Sequence, residues 1–388
     1  MHTKNNFDLV IIGGGCTGLS LANELSLLGK HSPQVLVLEH REAYVNDRTW
    51  CFWDIGDTKH RSACQKSWRT FQIKNKKTVN EYDCSSHPYL MLSSNDFYKN
   101  TLDNIKANEN IHLLMANEIY QDPIKIDQHW HIKTSTSSFT SSLVVDTRPR
   151  KNLKHTDSVL WQSFLGYEIK TNADVFDPEK MVLMDFDERF KNGLAFIYLL
   201  PTSKNQALIE YTIFSENFIP HQQIVPLIDE AMMRYTKGLP YELIRSEHGI
   251  LPMGNKTRPK QLDSTYLFSG LFSGAARASS GYAFQRIQSW VKVCAESISN
   301  QAKLTPFPRD PWLMSFMDGL FLNVLKKNPD ISASIFDTLF KKGDLNTVIK
   351  FMSDQAGNKD YLNIMKSLPA APFLKSLPLY LIQKLLTK

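Results

Sequence analysis

The sequence predicts an α/β protein in three parts: a Rossmann-like nucleotide-binding domain, an antiparallel β-sheet domain inserted into it, and a helical C-terminal region. Three observations carry this reading. A strand, a glycine turn, a helix and a second strand follow one another between Asp8 and Glu39. Short strand-like runs separated by polar turns fill 160–245. Beyond Pro311 the apolar residues recur at helical spacing. The expected boundaries are 1–65, 93–155 and 246–305 for the nucleotide domain, 66–92 and 156–245 for the sheet domain, and 306–388 for the helical region.

Leu9-Val10-Ile11-Ile12 is the short apolar run of a buried parallel strand. Gly13, Gly15 and Gly18 follow with G-x-G-x-x-G spacing. The first glycine permits the tight turn, the second lets a pyrophosphate approach the backbone, and the third lets the helix pack on the strand. The helix N-terminus offers free N–H groups and the positive end of its dipole to phosphates. Leu19, Leu21, Ala22, Leu25 and Leu28 continue at helical spacing until Gly29. Val35 to Leu38 form the second strand, and Glu39 stands 21 residues after Gly18, where an acid accepts hydrogen bonds from an adenosine ribose. A carboxylate there disfavours the 2′-phosphate of NADP. The order of these features, rather than the glycines alone, separates a dinucleotide site from an ordinary glycine-rich turn.

Asn46 to Asp54 form an aromatic patch with Trp50, Phe52 and Trp53. Trp68, Phe71 and Ile73 alternate as in a strand, and Asn95 or Asp96 caps a helix carrying Phe97, Tyr98, Leu102 and Ile105. Ile111 to Met115 is a short strand. Phe139 to Asp146 is another, and Asp146 at its end falls on the crevice edge where such sheets bind ligands. In the second part, 165–169, 181–186, 195–200 and 207–214 read as strands of an antiparallel sheet, and Ile224, Ile228, Met232 and Tyr235 mark a helix. Gly249 to Gly254 and the strand 265–268 return the chain to the first domain. Asp310 and Pro311 open the last region as cap and first-turn residues, ahead of an apolar stripe from Trp312 to Leu325.

The 388 residues suffice for two or three domains with a sizeable core, and 42% hydrophobic with 22% charged residues are ordinary for a globular protein. The net charge of +6 is diffuse, densest at Lys74, Lys76 and Lys77 and at Arg148, Arg150, Lys151 and Lys154. No nucleic-acid motif accompanies it, so no nucleic-acid partner is expected; the charge suits anionic lipid or a phosphorylated cofactor. Five scattered cysteines without C-x-x-C spacing fit a reduced, cytoplasmic compartment, and neither they nor the 11 histidines show metal-ligand spacing. No run of 18 apolar residues predicts a transmembrane helix. The tail from Leu377, apolar with Lys384 and Lys388 and preceded by Lys375, fits peripheral attachment to a membrane surface.

Four separated segments resemble the flavin-dependent lycopene cyclases of carotenoid-making bacteria. They are the fingerprint with Glu39; Asp47-Arg48-Thr49-Trp50-Cys51-Phe52-Trp53, similar to an R-T-W-C-F-W block; Leu208-Ile209-Glu210-Tyr211-Thr212, similar to an acidic E-x-T motif; and Gly281-Tyr282 within Gly270 to Arg286, similar to a C-terminal flavin motif. The resemblance covers about residues 7 to 330. It implies that the first domain is an FAD-binding domain and the inserted sheet a substrate domain. The cofactor is then reduced FAD, with NADPH as electron donor, and the substrate is lycopene or a related acyclic carotenoid. Gly13, Gly15, Gly18, Glu39, Arg48, Asp146, Gly270, Gly274 and Gly281 are the expected flavin-binding residues, and Arg277 reaches either the flavin or solvent. Trp50, Phe52, Trp53 and Tyr282 are expected to line the substrate tunnel or pack in the core. Glu210 is the expected catalytic carboxylate, with Asp185 or Asp187 as other proton sources. Flavin monooxygenases and polyprenyl reductases share the first motif, and a non-catalytic flavin-binding factor on a membrane would carry it too.

Overall fold

The computed structural model describes residues 5–56, 58–149, 152–255 and 263–386; Arg150, Lys151 and Lys388 lie outside them. The chain opens with β1 (Asn6–Ile12), α1 (Cys16–Ser26), β2 (Val35–Leu38) and the aromatic β3 (Thr49–Trp53). Next come β4 (Lys66–Trp68), β5 (Thr70–Lys74), β6 (Val79–Asp83), β7 (Tyr89–Ser93), α2 (Ser94–Lys106) and β8 (Ile111–Leu114). A hairpin of β9 (Ile124–Ile126) and β10 (His129–Lys133) precedes β11 (Ser138–Asp146). The second part holds β12 (Ser158–Thr171), β13 (Lys180–Phe186), β14 (Leu194–Pro201), β15 (Gln206–Ser215), α3 (His221–Tyr235) and β16 (Tyr241–Asn255). The short β17 (Tyr266–Phe268) and α4 (Phe284–Gln301) lead to α5 (Trp312–Lys327), α6 (Ser332–Lys342), α7 (Leu345–Met352), α8 (Asn358–Ser367) and α9 (Ala370–Leu386).

The first sheet has the order β8-β2-β1-β11-β10-β9. Its β8, β2, β1 and β11 run parallel, and β17 joins the far half of β11, also in parallel. Both faces are covered, so β1 and β2 are almost continuously apolar. Leu9, Ile11 and Val37 pack under α1, α2 and α4, and Val10, Ile12 and Leu36 meet Phe139 and Ile132 on the other face. The second sheet has the order β16-β12-β15-β14-β13-β5-β6. One of its faces (Ile209, Tyr211, Ile213) packs on α3, and the other (Leu208, Phe214, Phe196) on the C-terminal helices.

The small sheet β3-β7-β4 is the seam between these bodies. Alternation along β3 sends Trp50 and Phe52 toward α4, where they stack on Phe284 with ring centroids 5.4 and 5.0 Å apart. Trp53 turns the other way, against Phe71 and Tyr89.

Several expectations are corrected. The return to the first sheet does not begin at 246: β16 pairs with β12 from Tyr241 opposite Thr171 to Asn255 opposite Ser158, so Gly249 to Gly254 stay in the second sheet. That sheet is not wholly antiparallel, because β5, drawn from an earlier part of the chain, lies parallel to β13. The cap of α2 is Ser93, whose Oγ accepts the Asp96 N–H at 3.1 Å. Pro311 is the N-cap of α5, one position before its expected place in the first turn. The hairpin β9–β10, with Ile124 and Ile126 alternating in one strand and Trp130 and Ile132 in the other, escaped the sequence reading.

Among the described residues no helix is long and apolar enough to cross a membrane. Along α9, Leu374, Leu381 and Leu385 are exposed on one face. The Lys384 ammonium is turned away from that face, over the rings of Phe316, Tyr380 and Trp312.

Candidate active site

The glycine turn forms as its spacing demands. Gly18 is held so close that a Cβ there would lie 2.0 Å from the Gly13 carbonyl oxygen. A Cβ at Gly15 would meet nothing within 4 Å. Gly15 is the N-cap of α1, no side chain caps the helix, and its first turn carries no acid. An uncapped helix end facing open space is a ready anion site, and it fits a dinucleotide pyrophosphate.

A cavity of about 2410 Å³ is lined by Gly15 and Arg41 and also by Tyr282, Glu210 and Glu247. Glu39 lies behind its wall. The carboxylate accepts the Gly14 N–H at 2.7 Å and the Arg41 N–H and Nε at 2.9 and 3.0 Å. Burial opposes its ionisation, but those donors outweigh burial and hold its pKa below the usual range. Glu39 therefore braces the glycine turn, while His40 and Arg41 present the polar groups on the wall. Arg41, two residues from the acid, had escaped the sequence reading.

Arg48, Gly270 and Gly281 line the cavity, and Arg48 donates to the Asp47 carbonyl at 2.9 Å. Asp146 does not face it. Its carboxylate accepts from Arg148 Nη2 at 2.6 Å and the Tyr266 hydroxyl at 2.7 Å, which removes it from ligand contact. Gly274 ends a short turn at φ +106° and shapes the loop without reaching the wall. Arg277 touches neither flavin site nor solvent; it is buried and paired with Asp318 and Asp354.

From the second sheet, Glu210 projects from β15 on the cavity face together with Leu208. Its carboxylate accepts the Thr212 hydroxyl at 2.7 Å. Desolvation first, and the charge of Glu247 second, push its pKa up to about 8, against the Thr212 bond and Arg245. Tyr198 lies opposite Glu210 on β14, and the Tyr282 and Tyr89 hydroxyls are 3.3 Å apart on the same cavity wall. Burial raises the pKa of all three phenols and of the Cys51 thiol, so each is neutral. An acid holding its proton, ringed by aromatic faces and neutral hydroxyls, can protonate an apolar substrate and shelter a cation.

Trp50 and Phe52 reach the cavity wall while stacked on Phe284. Trp53 is fully buried in the core and is removed from the expected tunnel residues. Asp185 accepts the Tyr235 hydroxyl at 2.6 Å and pairs with Arg234, and Asp187 pairs with Arg189 and Tyr211. Those partners lie on the α3 side of the sheet, so neither aspartate is on the cavity wall. Glu247, Tyr198 and Tyr89 carry no motif and emerge only from strand pairing.

A dinucleotide turn joined by one cavity to an enclosed carboxyl group defines an enzyme-like α/β architecture. The sequence profile of the lycopene cyclase protein family matches residues 8–377, and the chain belongs to that family. No curated protein sequence matches it. Among solved structures it is similar to a geranylgeranyl bacteriochlorophyll reductase-like protein from Thermoplasma acidophilum, at 13% identity and TM-score 0.58, covering 97% of this chain and 100% of the other. It is similar to PqsL from Pseudomonas aeruginosa, described as a probable FAD-dependent monooxygenase, at 13% identity and TM-score 0.57, covering 86% and 100%. The flavin-dependent brominase Bmp2 gives 12% identity and TM-score 0.60, covering 97% and 100%. At these identities the likeness is one of fold.

Proposed function

We propose that the protein is a flavin-dependent lycopene β-cyclase, closing the acyclic ψ-ends of lycopene into β-rings. The observation that carries this reading is Glu210 on the cavity wall among Tyr198, Tyr282 and Tyr89, where desolvation and the neighbouring Glu247 favour its protonated form. Glu210 gives its proton to C2 of the ψ-end, leaving a tertiary cation at C1. The C5–C6 double bond attacks C1 and the ring closes. Loss of the C6 proton then returns the electron pair to the ring. One proton enters and one leaves, so there is no net redox change. Tyr198, Tyr282 and Tyr89 face the cation and help exclude water. Gly15 and the first turn of α1 would hold the pyrophosphate of FAD, which when bound and reduced would supply electron density to stabilise the cation, with NADPH as the electron donor.

The test is an anaerobic assay with chemically reduced FAD. It should yield cyclic carotenoid, and in the NADPH-driven assay no NADPH should disappear in proportion to rings formed. One NADPH consumed per product would replace this reading with a reductase or monooxygenase. Gly15→Leu fills the open space at the helix end, and the purified variant should release far less than one FAD per chain on denaturation. Equal flavin content would move the cofactor elsewhere. A lipid-soluble substrate and the apolar face of α9 support peripheral binding to a membrane from the cytoplasmic side. Liposome flotation should be salt-sensitive for the full chain and weaker after truncation near Leu374; equal flotation would place the contact on another surface.

A further inference from the structure

Gly166 in β12 lies opposite Glu210 of β15 on one side and opposite Glu247 of β16 on the other. A Cβ at this position would lie 3.2 Å from Glu247 Cγ and 3.4 Å from Glu210 Cβ. The middle strand thus leaves out a side chain where the two carboxyl-bearing chains flank it, both on the cavity face.

Their partners differ. Glu247 Oε2 accepts from the Thr49 hydroxyl at 2.8 Å and from Arg245 Nη1 at 2.5 Å. Arg245 also donates to Thr49 Oγ1 at 2.6 Å and to Glu168 Oε2 at 2.5 Å, and Glu168 accepts from Gln206 at 2.8 Å. Glu210 has the Thr212 hydroxyl and, among the described residues, no ion-pair partner. The other titratable groups around Glu210 are Cys51 on β3, Tyr89 on β7, Tyr198 on β14 and Tyr282 before α4, all neutral. Arg245 therefore bonds Glu168 and Glu247 but not Glu210, and the carboxyl best placed to hold a proton is the one without that partner.

We propose that Glu247 is a positioning residue: paired with Arg245 and held by the Thr49 hydroxyl, it keeps the cluster's proton on Glu210, the carboxyl that serves the substrate. This rests on the reading of Glu210 as the proton donor. It adds a function for Thr49 within the aromatic block, as the hydroxyl that locks Glu247.

Infrared titration of the carboxyl C=O band tests it without substrate. Glu210→Gln assigns the band by removing it. In Glu247→Gln the midpoint should fall by about 1 pH unit, since a neighbouring like charge has been removed. The alkaline limb of the cyclisation rate should move with it, and Glu247→Asp should restore both. Arg245→Gln strips the balancing cation and should move the midpoint the other way; it also serves if Glu247→Gln fails to fold. A midpoint unmoved in the folded variants, or moved in the opposite senses, overturns the proposal. Absence of cyclic carotenoid in every variant would instead overturn the cyclase reading, while the infrared titration still decides the position of the proton.

Discussion

Glu210→Gln should lower cyclic carotenoid formed per bound, reduced FAD by about 10²- to 10⁴-fold, the usual cost of losing a positioned acid. The amide keeps the size of the side chain and the Thr212 contact but has no acidic proton to give. Flavin content should be unchanged, because the glycine turn and α1 belong to the first sheet and Glu210 to the second. Glu210→Asp should retain partial activity, limited by reach. The same carboxyl has a cost in stability, and its sign follows from the shift. A carboxyl whose folded pKa is raised stabilises fully below its unfolded value near 4.5, and that contribution is lost as pH rises toward about 8. Glu210→Gln should therefore unfold at a higher temperature than the parent above pH 8, by about 2 °C or more, and match it near pH 4. A Gln variant with parental turnover would rule Glu210 out. Asp185 and Asp187, tied up on the α3 side, would not replace it, leaving the cofactor as the proton source.

The parts of this architecture that depend on local pattern were legible in the chain. The glycine turn, α1, β2 and the strands from β12 to β15 follow from short-range periodicity, because burial of one face or both imposes it directly. The parts that depend on register were not. Glu247 belongs to the site only because β12 pairs with β15 and β16 at the same residue, Gly166, and no local pattern encodes which strand lies beside which. The same holds for β5, which is remote in sequence from β13 and lies parallel to it. Glu39 shows the converse. Its position was readable, but its contacts depend on Arg41 folding back over it, which is a matter of side-chain packing. Trp53 and Trp50 stand in one motif, yet alternation sends them to different cores.

Arg277→Met should destabilise the protein by about 3–5 kcal/mol, the largest stability effect we expect of a single substitution outside the site. The guanidinium is 1% exposed and grips Asp318 through Nε and Nη2, both at 3.1 Å. Nη1 reaches Asp354 at 3.1 Å and the Phe351 carbonyl. Arg286 of α4 holds the other oxygen of Asp354 at 2.7 Å and also binds Asp310. These bonds tie the loop before α4 to α5 and to the segment after α7. The Met side chain fills similar space but, among the described residues, leaves buried Asp318 with the Ser279 hydroxyl at 2.9 Å as its hydrogen-bond donor. The penalty is the stranded charge rather than the lost attraction, so Arg277→Met with Asp318→Leu should recover most of the loss. Urea unfolding of the two variants measures this, and a single-variant loss below about 1 kcal/mol would show that the pair is not anchoring the helices. A functional consequence follows from where the anchored segment lies. Met352, Ser353, Asp354 and Gln355 form part of the cavity wall, so loosening them opens the site to water. In Arg277→Met, protease cleavage around residues 353–357 should accelerate, and cyclisation should fall more than flavin content, because the glycine turn is braced separately by Glu39 and Arg41.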